Sequence, residues 1–187
     1  MTESMSRTSR LRLMLVLLVS LVGGDQASKY YAVSHWKNQP LQSHLGDTFR
    51  IQYAENTGAF LSMFGNLPAN TRYSILVIGN GIGMAVIAAF ILGVAKIDRW
   101  TYIAWALVFA GGIGNLIDRM RINAVIDFLN LGIGPVRTGI FNVADMAITA
   151  GFVMLLPSIF RSPAEDTPAP ASVESTPAPA PASGSPP

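Results

Sequence analysis

The stretch that decides the fold is residues 111–145, GGIGNLIDRMRINAVIDFLNLGIGPVRTGIFNVAD. It holds three aspartates, Asp118, Asp127 and Asp145, and two of them sit against long apolar runs. A carboxylate in such a place is costly unless it is shielded from lipid, paired or used. Residues 100–117, leading into this stretch, carry no charge, and Asp145 is the one charge of residues 140–160. Working outward, residues 73–95 are also uncharged, and residues 13–31 contain only Asp25 and Lys29. A bilayer core about 30 Å thick takes about 20 residues of helix. The chain therefore reads as an all-α polytopic membrane protein with four transmembrane helices, at about 13–31, 73–95, 100–118 and 140–160.

Composition agrees. Charged residues make up 13% of the 187 residues, about half the share usual in a soluble domain, roughly 25%. With no cysteine in the chain, disulfides, thiol nucleophiles and thiolate metal sites are excluded. His35 and His44 lack the HExxH spacing of zinc peptidases, so no metal and no cofactor is expected. A net charge of +2 gives no footprint for nucleic acid.

Arg7, Arg10 and Arg12 precede the first apolar run, a pattern shared with cleaved leaders. This run does not end in a small-residue cleavage site but continues into Asp25–Lys29, which reads as an uncleaved first helix. The arginines place residues 1–12 in the cytoplasm. The outer connection, residues 32–72, contains an alternating strand at 48–54, an Asn-Thr-Gly turn at 56–58 and a short apolar interfacial segment at 59–64. Gly79 and Gly83 have GxxxG spacing within an apolar helix, which suggests helix packing rather than a phosphate loop. Eight of the twelve prolines lie in residues 162–187, so residues 161–187 read as a disordered Pro/Ala-rich cytoplasmic tail.

With the N-terminus inside, the end of helix one, the end of helix three and the start of helix four share the outer face. Those places carry Asp25 and Lys29, then Asn115, Asp118 and Arg119, then Asn142 and Asp145. Asp25 with Lys29 is an i, i+4 pair in the favourable order. That pair, and Asp118 beside Arg119, could simply hold the bundle together. Asp127 and Asp145 have no cation within four residues. Brought together in apolar surroundings they should not both ionise, so one keeps a proton while the other can act as a base. Separate structural acids are the alternative.

These residues resemble a known family, the lipoprotein signal peptidases (signal peptidase II). The likeness lies in five blocks over residues 13–160: Asp25-Gln-Ala-Ser-Lys29, Asn56-Thr-Gly58-Ala-Phe, Gly114-Asn115-Leu-Ile-Asp118-Arg119, Val-Ile-Asp127-Phe and Phe-Asn142-Val-Ala-Asp145. The resemblance implies four helices with both termini cytoplasmic, a periplasmic β-cradle and a short interfacial helix. It also implies cleavage of diacylglyceryl-modified prolipoproteins just before the lipidated cysteine, in the bacterial inner membrane. The expected partners are those precursors and membrane lipids, and the expected state is a monomer. Asp127 and Asp145 would be the catalytic pair. Asn56, Gly58, Asn115 and Asn142 would contact substrate backbone, and Asp25, Lys29, Asp118 and Arg119 would support the site. Departures are small: Ala110-Gly-Gly-Ile113 stands ahead of Gly114, and Gly139-Ile140 replaces a proline-containing pair before Phe141. The tail lies outside the resemblance. An ion transporter, the rival reading, would set its acids at several depths along a path, whereas these share one level.

Overall fold

The computed structural model describes residues 5–58, 63–64, 66–95 and 97–160. Among them are helices α1 (Arg7–His35), α2 (Ala69–Gly93), α3 (Arg99–Ile122) and α4 (Val143–Phe160), with strands β1 (Gln42–His44), β2 (Phe49–Asn56), β3 (Val125–Ile133) and β4 (Val136–Arg137). By length and composition α1, α2 and α3 can cross a membrane, and the apolar part of α4, Val143–Pro157, is shorter.

Local chemistry sets the ends. Ser6 caps α1, its hydroxyl accepting the Ser9 N–H at 3.2 Å. Asp98 caps α3 through the Thr101 N–H at 3.0 Å. Asn123 closes α3 in the left-handed region, at φ 56°, a conformation that asparagine tolerates better than most residues. The first helix starts at Arg7 rather than residue 13, so the arginines are part of it. There Arg10 donates to the Val94 carbonyl at 2.6 Å, pinning the start of α1 to the end of α2. The last helix starts at Val143 rather than 140, because Asn142 and Asp145 cap it.

Helix α3 is the centre of the bundle. Half of its apolar window is buried, against 6% in α1. Its glycines allow close approach. A Cβ on Gly111 would lie 2.5 Å from the Ala144 carbonyl oxygen, and one on Gly114 would lie 2.7 Å from Asp25 Oδ2. Gly111→Ala must therefore push α4 away from α3. We expect a loss of about 1–3 kcal/mol, measurable as a lowered unfolding midpoint in detergent. The Gly79–Gly83 spacing does not work this way. A Cβ at either position, or at Gly81, would meet nothing within 4 Å, so among the described residues no helix packs closely against these glycines.

The sheet is antiparallel in the order β1-β2-β3-β4. The expected strand at 48–54 is realised as Phe49–Asn56, and its main partner is β3 from the second connection. Register sets Asp127 opposite Ala54 and Asn56 opposite Val125, with an irregularity between Ile51 and Ala54. Both connections thus converge over the ends of α1, α3 and α4. Residues 59–62 of the expected interfacial segment 59–64, and the tail at 161–187, lie outside the described residues.

Candidate active site

Three elements carry the aspartates. Asp118 comes from the last turns of α3, Asp127 from β3 and Asp145 from the first turn of α4. The start of α4 is a reciprocal cap. The Asp145 N–H donates to Asn142 Oδ1 at 2.9 Å, and the Asn142 N–H donates back to Asp145 Oδ2 at 3.1 Å. This is the capping-box pattern with asparagine and aspartate in the two roles. Anions at a helix N-terminus are also favoured by the unpaired N–H groups there. Asp25 Oδ1 takes another of them, the Ala144 N–H, at 2.9 Å.

Beneath the cap lies a buried cation with three partners. Lys29 Nζ is 2.8 Å from Asp25 Oδ2, 2.8 Å from Asp118 Oδ2 and 3.0 Å from Asn115 Oδ1. An ammonium has three protons and no acceptor, so its capacity is filled. The expected pairing of Asp118 with Arg119 is not formed. Adjacent helical residues do not face each other, and Lys29 reaches Asp118 from α1 instead. Arg119 donates through Nη2 to the Gly58 carbonyl at 3.1 Å, fastening the Asn56–Gly58 turn to α3. That turn is closed by the Gly58 N–H donating to Asn56 Oδ1 at 3.0 Å.

Donor and acceptor rules fix the orientation of both amides. Asn115 must offer its oxygen to Lys29, so its Nδ2 faces Asp145 Oδ1, at 2.8 Å. Asn142 must offer its oxygen to the Asp145 N–H, so its Nδ2 faces Asp127 Oδ1 at 2.7 Å and Asn115 Oδ1 at 3.1 Å. Lys29, Asn115 and Asn142 thus form a chain of directed hydrogen bonds ending on the two carboxylates. Asn56 adds a side-chain hydrogen bond to Asp127.

The two acids are not equivalent. Asp127 is 2% exposed, while Asp145 is half-buried. Burial first, and the Asp145 charge second, push the Asp127 carboxyl up to about 7, against partial relief from Asn142 and Asn56. Both acids line one cleft of about 1330 Å³. Ala54, Asn56 and Leu131 of the sheet border it above, and Leu76, Asn80 and Phe152 border it further down.

The structure therefore gathers all the candidate residues into one assembly. Gln26 was not singled out by its sequence pattern. Its Nε2 donates to Asp118 Oδ1 at 3.0 Å and to the Gly114 carbonyl at 3.2 Å, tying α1 to α3. Its place next to Asp25 in the first motif was the available signal. Among the described residues no group of three acids or histidines could hold a metal ion.

Two adjoining carboxylates at the wall of one cleft, one buried and one half-buried, set on a helical bundle long and apolar enough for a membrane, define a membrane peptidase of the aspartic type. Residues 16–161 match the model of the family described as Signal peptidase (SPase) II. The chain belongs to that family. It is 35% identical over 155 residues to a lipoprotein signal peptidase of Sphingopyxis alaskensis, covering 82% of this chain and 88% of the relative. It is 32% identical over 150 residues to one of Streptococcus pyogenes serotype M1, covering 80% and 94%. A solved structure titled as a bacterial membrane enzyme, 24% identical, shares the fold with a TM-score of 0.72 over 85% of this chain and 92% of that one.

Proposed function

We propose that this protein removes signal peptides from diacylglyceryl-modified prolipoproteins, cutting just before the lipidated cysteine. The observation that carries the reading is the pair Asp127 and Asp145, bridged by Asn142 at the wall of an apolar cleft. Asp145 takes a proton from a water, and the resulting hydroxide adds to the scissile carbonyl. Asp127, protonated, gives its proton to the carbonyl oxygen, forming a neutral gem-diol. Collapse breaks the C–N bond; the nitrogen takes the proton held by Asp145 and a diol proton returns to Asp127. The acids end as they began.

In this reading α4 is a fourth membrane span, both termini are cytoplasmic, and the sheet and dyad lie on the periplasmic side of the bacterial inner membrane. The arginines at the start of α1 and the gathering of every motif at one level of the bundle support it. Asn56 and Asn115, at the cleft wall, contact substrate backbone, and Asn115 also aims the dyad. The substrate contacts expected of Gly58 and Asn142 do not fit, because the Gly58 N–H and carbonyl are both taken and the fully buried Asn142 spends its amide on the dyad and on Asn115. Asp25, Lys29, Asp118 and Arg119 hold those groups in place. One chain supplies the whole assembly, so the enzyme works as a monomer.

The acyl chains of the substrate add binding energy at about 0.8 kcal/mol per buried CH₂, and so fix the scissile bond at the height of the dyad. Small misplacements there are costly. Cleavage of a lipidated precursor and of the same precursor with a free cysteine tests this. We expect efficient cleavage of the first and very poor cleavage of the second. Equal rates would leave only a general membrane aspartic peptidase.

The proton on Asp127 predicts a pH dependence. Its carboxyl titrates near 7 in the folded protein, against an ordinary 3.8. Activity should therefore fall on the alkaline side with an apparent pKa near 7 as the acid is lost. Between pH 3.8 and 7 the folded protein binds the extra proton and the unfolded chain does not, so this group's contribution to stability falls as pH rises through that window. A pH–rate profile flat from 6 to 9 would contradict the assignment.

A further inference from the structure

The far end of the sheet carries apolar side chains that no other described residue covers. Leu45 in the β1–β2 turn is 80% exposed, and Ile133 and Val136, paired across the β3–β4 turn, are 77% and 78% exposed. The two turns are tied into one surface. The Gly132 N–H donates to the Thr48 carbonyl at 2.9 Å, and Arg137 Nη1 donates to the Asp47 carbonyl at 2.7 Å. Leu45 also has a left-handed backbone, at φ 53°. A leucine rarely takes that conformation, and asparagine or glycine would serve an aqueous turn better.

We infer that these two turns dip into the adjoining membrane leaflet, with Leu45, Ile133 and Val136 among the lipid chains. Three observations favour lipid over a protein partner. The patch is continuous with a bilayer-facing surface: the cleft that begins at Leu131 and Arg137 runs down to Phe152 and Val153, both exposed on α4. Its rim is cationic, with Arg50 and Arg137 sharing the single carboxylate of Asp47, which suits anionic headgroups. The patch is also made of a few side chains on turn tips. Interfacial insertion needs only apolar tips and a polar rim. Seated this way, the sheet holds Asp127 of β3 at a fixed depth beside the cleft mouth. The inference rests on the proposed membrane placement of the bundle, but it does not depend on which side the sheet occupies.

The chain has no cysteine, so single cysteines can be introduced and spin-labelled cleanly. Leu45→Cys, Ile133→Cys and Val136→Cys, with Gln52→Cys as a control on β2 outside the patch, would be placed in full-length protein in phosphatidylcholine–phosphatidylglycerol vesicles. Precursor cleavage by each labelled protein checks that the fold is kept. We expect oxygen to collide with the label more often than a water-soluble nickel chelate does at 45, 133 and 136, and less often at 52. Nickel collisions dominating at the three patch positions would overturn insertion. So would shielding from both reagents, which would mean that a second copy covers the patch. Labelling of Gln52→Cys in intact spheroplasts by a membrane-impermeant thiol reagent tests the sidedness of the sheet separately.

Discussion

Asparagine in place of Asp145 is expected to lower turnover by at least about 10²–10⁴-fold, the range that positioned acid–base groups supply, while leaving the bundle folded. The carboxamide keeps the size of the side chain and can still accept one N–H bond through its oxygen. It has no lone pair basic enough to take a proton from water. Asp127→Asn should be as severe for the complementary reason, since an amide can donate to the carbonyl oxygen but cannot deliver a proton and recover it. The variants differ in one respect. Asp145 also caps α4 through the Asn142 N–H, so its replacement should cost some stability, whereas Asp127→Asn relieves a buried acid and should cost less. Rates of precursor cleavage alongside unfolding midpoints separate the two effects. Either variant cleaving near the parental rate would remove that residue from the mechanism.

The second large effect is structural. Lys29→Met should destabilise the protein by about 3–5 kcal/mol, the penalty for breaking a buried ion pair by deleting one partner. Asp25 and Asp118 are 1% and 3% exposed and both rest on this ammonium. Without it, one of them must take up a proton or the end of α1 must separate from α3. Lys29→Arg should not restore stability, because a planar fork cannot place three donors where a tetrahedral ammonium does. Lys29→Met also leaves Asn115 Oδ1 with the Asn142 amide as its remaining donor, so the Asn115 amide is held less firmly against Asp145. Chemical unfolding in detergent measures the loss. A Lys29→Met protein as stable as the parent would show that the two carboxylates do not depend on the ammonium.

The helices were legible because apolar runs are a direct consequence of spanning a bilayer, and the pairs Asp25–Lys29 and Asn142–Asp145 because helical spacing is local. What was missed depended on contacts between distant segments. Asp118 found its cation on α1 rather than next door. Strand β3 did not announce itself, since Asp127, Phe128 and Asn130 are all buried, and a strand buried on both faces shows no alternation. The start of α4 was misjudged because Ile140 and Phe141 extend the apolar run, although Phe141 pairs with Leu129 of β3 instead. Asn142 and Asp145, three residues apart at the expected start of the last helix, form its cap. GxxxG spacing marks where a helix could pack, not whether a partner is present.

The most direct test of the account is the mass of the products. The purified protein would be incubated with a diacylglyceryl-modified precursor, and both fragments would be analysed by mass spectrometry, beside the Asp127→Asn and Asp145→Asn variants. The account predicts a signal peptide with a free C-terminal carboxylate and a mature fragment beginning at the lipidated cysteine, with neither product from the variants. An intact precursor with the parental protein, a cut elsewhere in the chain, or the same two fragments from either variant would contradict it.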